Sequence, residues 1–414
     1  MSNSRSAVIA AFALIALATL VPLPGDQWLH AFWCIRCGGG ADPVELLLNV
    51  ALFVPLGLAL RASHTRASLA LATIVATTIG VELLQYFVVV GRDGSIRDCI
   101  SNTAGGTAAF FIQPAAGALW RADGRPSTKL AWGAAILWIA HAALASVLFR
   151  PAETSHRYFG QTAPRLAQFA TFHGVVQDAR VDGARVPDGP LGPDLEGVVR
   201  TREWLSLTAR VWPGRPTENT APIVAIADGD ANEIAILAQH HTSVEFQSRV
   251  AAQNVGLFAP AVVLDDAIDW AGPSSGDAVT LEGLRVGYRL TLRASEPHRA
   301  GRIATLTLSP SLGWALWWRA GFPGRMTLWW ATWVWLAAPV ALMVFWSDAA
   351  DASARWTRFL PAAMAVLGGE VIVPWLTGSG GFRWTEAGAA IVGLSVGIAA
   401  SARARSNAAA VVAR

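Results

Sequence analysis

Apolar and polar positions divide this chain into two kinds of sequence. Eight stretches, at about 7–24, 44–60, 67–90, 99–119, 130–149, 326–346, 358–376 and 385–402, are apolar over a spanning length or nearly so. The hydrocarbon core of a bilayer needs about 20 residues of helix and roughly 17 at the least. The second stretch contains Pro55 and reads as kinked. Between the fifth and sixth, residues 155–310 are polar, punctuated by Pro and Gly, and free of any long apolar run. Short β-rich stretches recur there, at 197–211, 222–227, 233–238, 243–250, 278–281, 286–292 and 302–308. Tyr288, Leu290 and Leu292 alternate with Arg289, Thr291 and Arg293, the period of a half-buried strand. Asp228-Gly229-Asp230 reads as a hairpin turn. The pattern predicts a polytopic α-helical membrane protein of about eight transmembrane helices, with an inserted extracytoplasmic all-β sandwich of jelly-roll type.

Composition agrees with a membrane class: 53% of residues are hydrophobic, only 15% are charged, and mean hydropathy is +0.40. The net charge of +3 comes from scattered residues and not from a basic stripe, which argues against nucleic acid. Those charges orient the chain. With the N-terminus in the cytoplasm, eleven basic residues of short loops and tails, from Arg5, Arg61 and Arg66 through Arg121, Arg125, Lys129, Arg355 and Arg358 to Arg403, Arg405 and Arg414, lie inside. The outer short loops hold only Arg36, Arg92, Arg97 and Arg383, in the direction of the positive-inside rule. Residues 150–325 then face outward, both termini are cytoplasmic, and the expected home is a bacterial inner membrane. Arg5 before an apolar run suggests a signal peptide, but no small-residue cleavage pattern follows Leu23-Pro24-Gly25, so the first helix reads as retained. Four parts follow: a five-helix membrane domain at 1–150, a sandwich at 151–312, an interfacial segment with three helices at 313–402, and a tail at 403–414. Within the third, Trp314-Ala315-Leu316-Trp317-Trp318-Arg319 reads as an anchor on the outer leaflet.

Topology gives depth to the most polar stretch among the helices, Glu82 to Gly106. Charged groups at membrane depth are costly and usually face a protein interior. Glu82 and Gln85 share a face of the third helix, Glu45 and Asn49 one of the second, and Asp98 and Asn102 one of the fourth. The three helices are expected to bring all six into one shallow outer layer, with Arg92 and Arg97 as counter-charges. A buried polar network of this kind locks helices together; Asp98 also reads as a helix N-cap. The chemical alternatives are binding through this whole group, or catalysis with Glu82 or Asp98 as general base and an arginine holding an anionic headgroup.

These residues carry a resemblance to the VanZ-like membrane family. It rests on Asn49-Val50-Ala51-Leu52-Phe53-Val54-Pro55-Leu56-Gly57, on Glu82-Leu83-Leu84-Gln85, on Arg92 and Arg97-Asp98, and on Asn102-Thr103-Ala104-Gly105-Gly106. The resemblance covers roughly residues 7–120, extends plausibly to 149, and implies an integral envelope protein of a family linked to antibiotic resistance. Which of Asp93 and Asp98 stands for the family's carboxylate stays open. The outer region resembles the concanavalin A-like lectin/LamG superfamily over about 155–310. Its carrying residues are Glu203-Trp204-Leu205-Ser206-Leu207-Thr208-Ala209-Arg210-Val211-Trp212-Pro213, Ile223-Val224-Ala225-Ile226-Ala227-Asp228 and Glu233-Ile234-Ala235-Ile236-Leu237-Ala238. Such domains often bind glycans and some hold calcium, for which Asp228, Asp230, Asn232 and Glu233 are weak candidates beside a plain Asp-Gly turn. Otherwise neither metal nor cofactor is expected.

Lesser signals remain. Cys34-Ile35-Arg36-Cys37 and Cys99 lie on one side, open to a disulfide, free thiols or zinc. His141 sits inside the fifth span, and His240-His241 in the outer region. Gly80, Glu82, Asp98 and Gly105 recur 288 positions later as Gly368, Glu370, Glu386 and Gly393, as a parallel repeat of the last three helices would; transporters contain such repeats. The leading expectation is a VanZ-like envelope protein whose lectin-like domain recognises an envelope glycan or a lipid-linked saccharide, with membrane lipids as its other partners. Alternatives are an enzyme acting on a lipid-linked substrate through Glu82, Arg97 and Asp98, and a transporter.

Overall fold

The apolar stretches form helices, and the polar region forms two β-sheets. A computed structural model describes residues 2–22, 43–90, 92, 94–119, 126–154, 157–165, 169–201, 204–230, 232–267, 278–296, 299–318, 325–348, 357–381 and 383–412. Cys34, Arg36, Cys37, Asp93, Arg121, Arg125, Glu203, Arg319, Arg355 and Arg414 lie outside them. The chain divides into two compact units, residues 1–121 and, apart from 255–257, residues 122–414.

The first unit holds α1 (Ser2–Thr19), α2 (Pro43–Ala62), α3 (Ala67–Phe87) and α4 (Ile96–Leu119). Pro22 and Pro24 follow the end of α1, which stops at Thr19 and not near 24 as its apolar run suggests; proline disfavours helix in the residue before it. Helix α2 keeps Pro55 in its interior, as membrane helices tolerate. It crosses α4 at close range: a Cβ on Gly105 would strike the Val50 carbonyl, and one on Gly57 the Gly106 carbonyl. Small residues that let backbones approach are the usual means of packing helices in lipid. Phe53, Leu56, Ile74 and Phe110 fill the interior, while Leu48, Leu83, Phe87, Ile100 and Phe111 point outward. An apolar outside of this kind suits lipid, not water.

The second unit begins with α5 (Pro126–Leu148) and continues, among the described residues, into twelve strands. They are β1 (Tyr158–Thr162), β2 (Val175–Val181), β3 (Ala184–Arg185), β4 (Gly189–Pro190), β5 (Trp204–Trp212), β6 (Thr217–Asp228), β7 (Glu233–His241), β8 (Ser243–Ser248), β9 (Val262–Leu264), β10 (Val279–Val286), β11 (Arg289–Glu296) and β12 (Arg299–Thr307). One sheet has the order β4-β1-β6-β7-β8-β9 and the other β12-β11-β10-β5-β2-β3. Every pair named within them is antiparallel. The sheets meet where Gly283 of β10 leaves room for the Phe246 ring of β8, and where Arg285 donates to Ser248 Oγ at 2.7 Å. Strands β6 and β7 are buried on both faces, and Phe169 packs on Ala225, Ile236 and Ala238. Strand β5 instead alternates: Leu205, Leu207, Ala209 and Val211 are buried, and Trp204 and Trp212 are exposed.

Two strand assignments change. Residues 197–201 belong to α6 (Pro193–Thr201), because Pro193 opens a turn, Asp194 and Glu196 favour its N-terminal end, and Arg200 pairs with Glu196 at 2.7 Å. Residues 286–292 are two strand ends joined by a turn at Gly287, whose φ of +52° suits glycine.

After the sandwich come a 3-10 segment (Pro310–Trp317), α7 (Arg325–Asp348), α8 (Leu360–Val366), a π turn (Leu367–Ile372), α9 (Val373–Thr377) and α10 (Trp384–Val412). The 3-10 segment is no leaflet anchor. Leu312, Trp314, Ala315 and Leu316 are buried, and Trp314 Nε1 donates to Thr332 Oγ1 of α7 at 3.0 Å. It is a wedge between sandwich and helices. Tyr288 donates to the Ser146 carbonyl of α5 at 3.1 Å and Arg383 to the Thr307 carbonyl of β12 at 2.9 Å, tying the sandwich to one end of the helices. Among the described residues six helices are long and apolar enough to cross a membrane: α2, α3, α5, α7, the rod 357–377 and α10; α1 is apolar but shorter. The chain is a membrane protein with a β domain.

Candidate functional site

The polar residues of the first unit gather at the end where α1 and α3 finish and α2 and α4 begin. Ser95 immediately precedes α4, and the Asp98 N–H donates to Ser95 Oγ at 3.2 Å. Ser-x-x-Asp before an apolar run is a capping-box pattern, so Ser95 and not Asp98 caps this helix. Asp98 is thereby free to turn its carboxylate sideways to α2, where Asn49 Nδ2 donates to Oδ1 at 2.7 Å. Arg97, 3.7 Å from the same oxygen, pairs with Glu45. On α3, Glu82 accepts from the Ser95 N–H at 2.9 Å and from Asn102 Nδ2 at 3.3 Å; Asn102 also donates to Thr78 Oγ1 at 3.1 Å.

Six of the eight expected residues therefore meet in one network: Glu45, Asn49, Glu82, Arg97, Asp98 and Asn102. Gln85 and Arg92 do something else. Gln85 donates to the Thr19 carbonyl at 3.0 Å, and Arg92 to those of Ala18 and Val21 at 3.0 and 3.3 Å. Both satisfy the bare carbonyls at the C-terminal end of α1, where a cation also suits the helix dipole. Arg92 is thus no counter-charge for Glu82 or Asp98. Ser95 and Thr78 are network members that spacing alone did not mark, although the Ser95-x-x-Asp98 motif was a readable signal. Burial grades the network: Glu82, Asn102 and Asp98 are buried, whereas the Glu45 side chain is 45% exposed, so its ion pair sits at the rim and contributes little. Each buried carboxylate is engaged by donors of the chain itself, which is what holds three helices in register.

The second unit has its own carboxylates among helices. Glu386, in the first turn of α10, accepts from Ser311 and Ser309 hydroxyls at 2.6 and 3.3 Å and from the Arg383 N–H at 2.8 Å. Glu370 lies in the π turn and is buried; its Oε1 has no hydrogen-bond partner among the described residues. The same holds for Trp138 Nε1 and His141 Nε2 on α5, and the two rings are 5.7 Å apart.

The weak calcium candidates do not converge. Asp228 Oδ1 accepts from the Asp230 and Asn232 N–H groups at 3.0 and 2.8 Å, and Oδ2 from Asn232 Nδ2 at 2.9 Å, so its carboxylate shapes the β6–β7 turn. Among the described residues no group of three or more His, Cys, Asp or Glu is placed to hold a metal. His240 Nδ1 lies 3.0 Å from Glu245 Oε1. That hydrogen bond pushes His240 up and burial pushes Glu245 up, so the pair holds a proton more readily than either group alone. Among the described residues Cys99 has no disulfide partner; Cys34 and Cys37 lie outside them.

Compared with known proteins, residues 2–117 match the VanZ/LLP1 family, a stretch that takes in α1 to α4 almost to their end. This part of the chain is VanZ-like. No curated protein and no solved structure matches the chain.

Proposed function

We propose that this is a VanZ-like protein of the bacterial inner membrane, crossing it eight times with both termini in the cytoplasm, and that its lectin-like, jelly-roll sandwich recognises a cell-envelope glycan. The observation that supports the reading is the pair of exposed tryptophans on the outward face of the second sheet. Alternate residues of β5, Trp204, Ser206, Thr208, Arg210 and Trp212, lie on that face, opposite the buried set. The two tryptophans are 40% and 47% exposed and stand eight residues apart, about 27 Å along a strand. Between and beside them are the Arg180–Asp178 and Arg293–Glu282 pairs. Flat aromatic faces set among hydroxyls, guanidinium and carboxylate groups match the chemistry of a pyranose, which has apolar C–H faces and a rim of hydroxyls.

In this reading the Glu82–Asp98 network is structural, because its carboxylates are already satisfied inside the unit. The eleven-to-four bias of basic residues supports an exported sandwich. Capture of the detergent-solubilised full chain by immobilised peptidoglycan and envelope polysaccharides tests the proposal. Trp204→Ala and Trp212→Ala should each weaken capture about 2- to 10-fold, the contribution of an aromatic contact. No capture by any envelope glycan, or capture indifferent to both changes, would count against it.

A further inference from the structure

The second unit follows part of the helix plan of the first. Helix α7 packs on α10 as α2 does on α4, and α5 on α7 as α1 does on α2. The packing of α3 on α4 has no comparable counterpart between the rod 357–377 and α10 among the described residues. Helix α4 starts at Ile96 and α10 at Trp384, the displacement of 288 that also separates Glu82 from Glu370, Asp98 from Glu386 and Gly105 from Gly393. As Gly105 brings α4 against the Val50 carbonyl of α2, Gly393 and Gly397 bring α10 against the Ala337 and Ala341 carbonyls of α7. Helix α1 packs on α2 and α3, and α5 packs on α7, α8 and α9. The correspondence therefore includes α5. The sandwich stands in the connection that corresponds to the one between α1 and α2.

The two sets differ in how the corresponding place is filled. Where the first has Glu45, Asn49 and Arg97, the second has Trp333, Ala337 and Thr385. In place of an ion pair and an amide there is a cavity of about 420 Å³, within the size range of small-molecule sites. Trp333, Thr385, Glu386 and Arg383 line it from the helices, Ser309 and Ser311 from the 3-10 segment, and Asp265 and Ile303 from the sandwich. Trp329 and Trp333 stand side by side on its wall, ring centroids 5.0 Å apart. Trp333 Nε1 is buried and has no hydrogen-bond partner among the described residues.

We propose that this cleft binds the sugar headgroup of a neutral glycolipid. The proposal rests on the reading of the sandwich as a glycan-recognising domain and names a second, membrane-level site for it. The indole faces of Trp329 and Trp333, the exposed Thr385 and the polar side chains of Asp265 and Arg383 suit a hydroxylated ring. Its lining holds two carboxylates, Asp265 and Glu386, and one guanidinium, that of Arg383, which already donates to the Thr307 carbonyl. That balance disfavours a phosphate. Leu328 and Trp329 belong to the first turns of α7, a helix long enough to cross the membrane, so the cleft lies where sandwich and bilayer surface meet. A lipid reaches that level directly, with its acyl chains lying along α7.

The test is native mass spectrometry of the full chain in a polyoxyethylene detergent. Glucosyl-diacylglycerol is compared with diacylglycerol of the same chains and with phosphatidylglycerol. The glucosyl lipid should be retained at least tenfold more strongly than either. Thr385→Trp, which fills the cleft from an exposed position, and Trp329→Ala should each cut that retention about tenfold with unchanged melting temperature. Equal retention of the three lipids would overturn the proposal, as would full retention by both folded variants. Capture of soluble envelope glycans, run on the same proteins, separates the two readings. If it persists while the lipid shows no preference, only the cleft fails; if the wild-type chain captures no glycan, the sandwich reading fails as well.

Discussion

Glu82 on α3 and Glu370 on the rod 357–377 stand 288 positions apart and have opposite surroundings. Glu82 receives the Ser95 N–H and the Asn102 amide. In the second set the residue corresponding to Asn102 is Ala390, and the N–H corresponding to that of Ser95 belongs to Arg383, which donates to Glu386 instead. Glu370 is left in a π turn beside the Trp138 indole, with Oε1 unpartnered among the described residues. The carboxylates alone do not make the network; the amides and the backbone N–H do. The first set spends them on locking three helices, and the second turns one carboxylate toward the sandwich through Ser309 and Ser311.

The comparison breaks most easily at the helix crossings. Gly105→Val and Gly393→Val each drive a side chain onto a backbone carbonyl, and each should cost about 3 kcal/mol or more. Yield and melting temperature in detergent measure this, and free tolerance of Gly393→Val would undo the repeat. Next, Glu82→Leu strands the Ser95 and Asn102 donors and should cost about 2–3 kcal/mol. Glu370→Leu removes a group with an unsatisfied oxygen and should move stability by less than about 1 kcal/mol in either direction. Equal costs in thermal melts would contradict the contrast. Asn49→Ala, which leaves the buried Asp98 without its 2.7 Å donor, should cost about 1.5 kcal/mol, and Glu45→Ala at the exposed rim less than about 1.

The pH-dependent effect lies in the sandwich. Burial raises Asp228, but hydrogen bonds from the Asn232 side chain and backbone and from the Asp230 N–H outweigh it and hold the carboxyl below its ordinary value. A depressed carboxyl stabilises the fold above the unfolded value near 3.9 and loses that contribution as pH falls through the folded one. Acid melts should therefore show a loss of about 1 kcal/mol below pH 4, absent in Asp228→Asn.

Much of this was readable from pattern. Apolar runs located the helices, and turn spacing brought Glu82, Asp98 and Asn102 to one level. The Asp228 turn was plain from Asp-Gly. What failed to show depended on distant partners. Gln85 and Arg92 looked like companions of the carboxylates until the end of α1 supplied bare carbonyls for them. Tryptophan suits both a leaflet surface and a buried wedge, so the segment around Trp314 read equally well as either. Strands β1 and β2 escaped notice because Tyr158–Thr162 and Val175–Val181 mix Gly, Gln and Asp with apolar residues. The serines that meet Glu386 come from more than 70 positions away, and no local motif points to them.

The central claim is that the second helix set keeps open, for a sugar headgroup, the place that the first fills with its own side chains. A cryo-electron microscopy map of the full chain in nanodiscs containing glucosyl-diacylglycerol tests it most directly. The account predicts headgroup density between Trp333 and Glu386, and none between Glu82 and Asp98. An empty cleft, or a lipid headgroup inserted at Glu82, would contradict it.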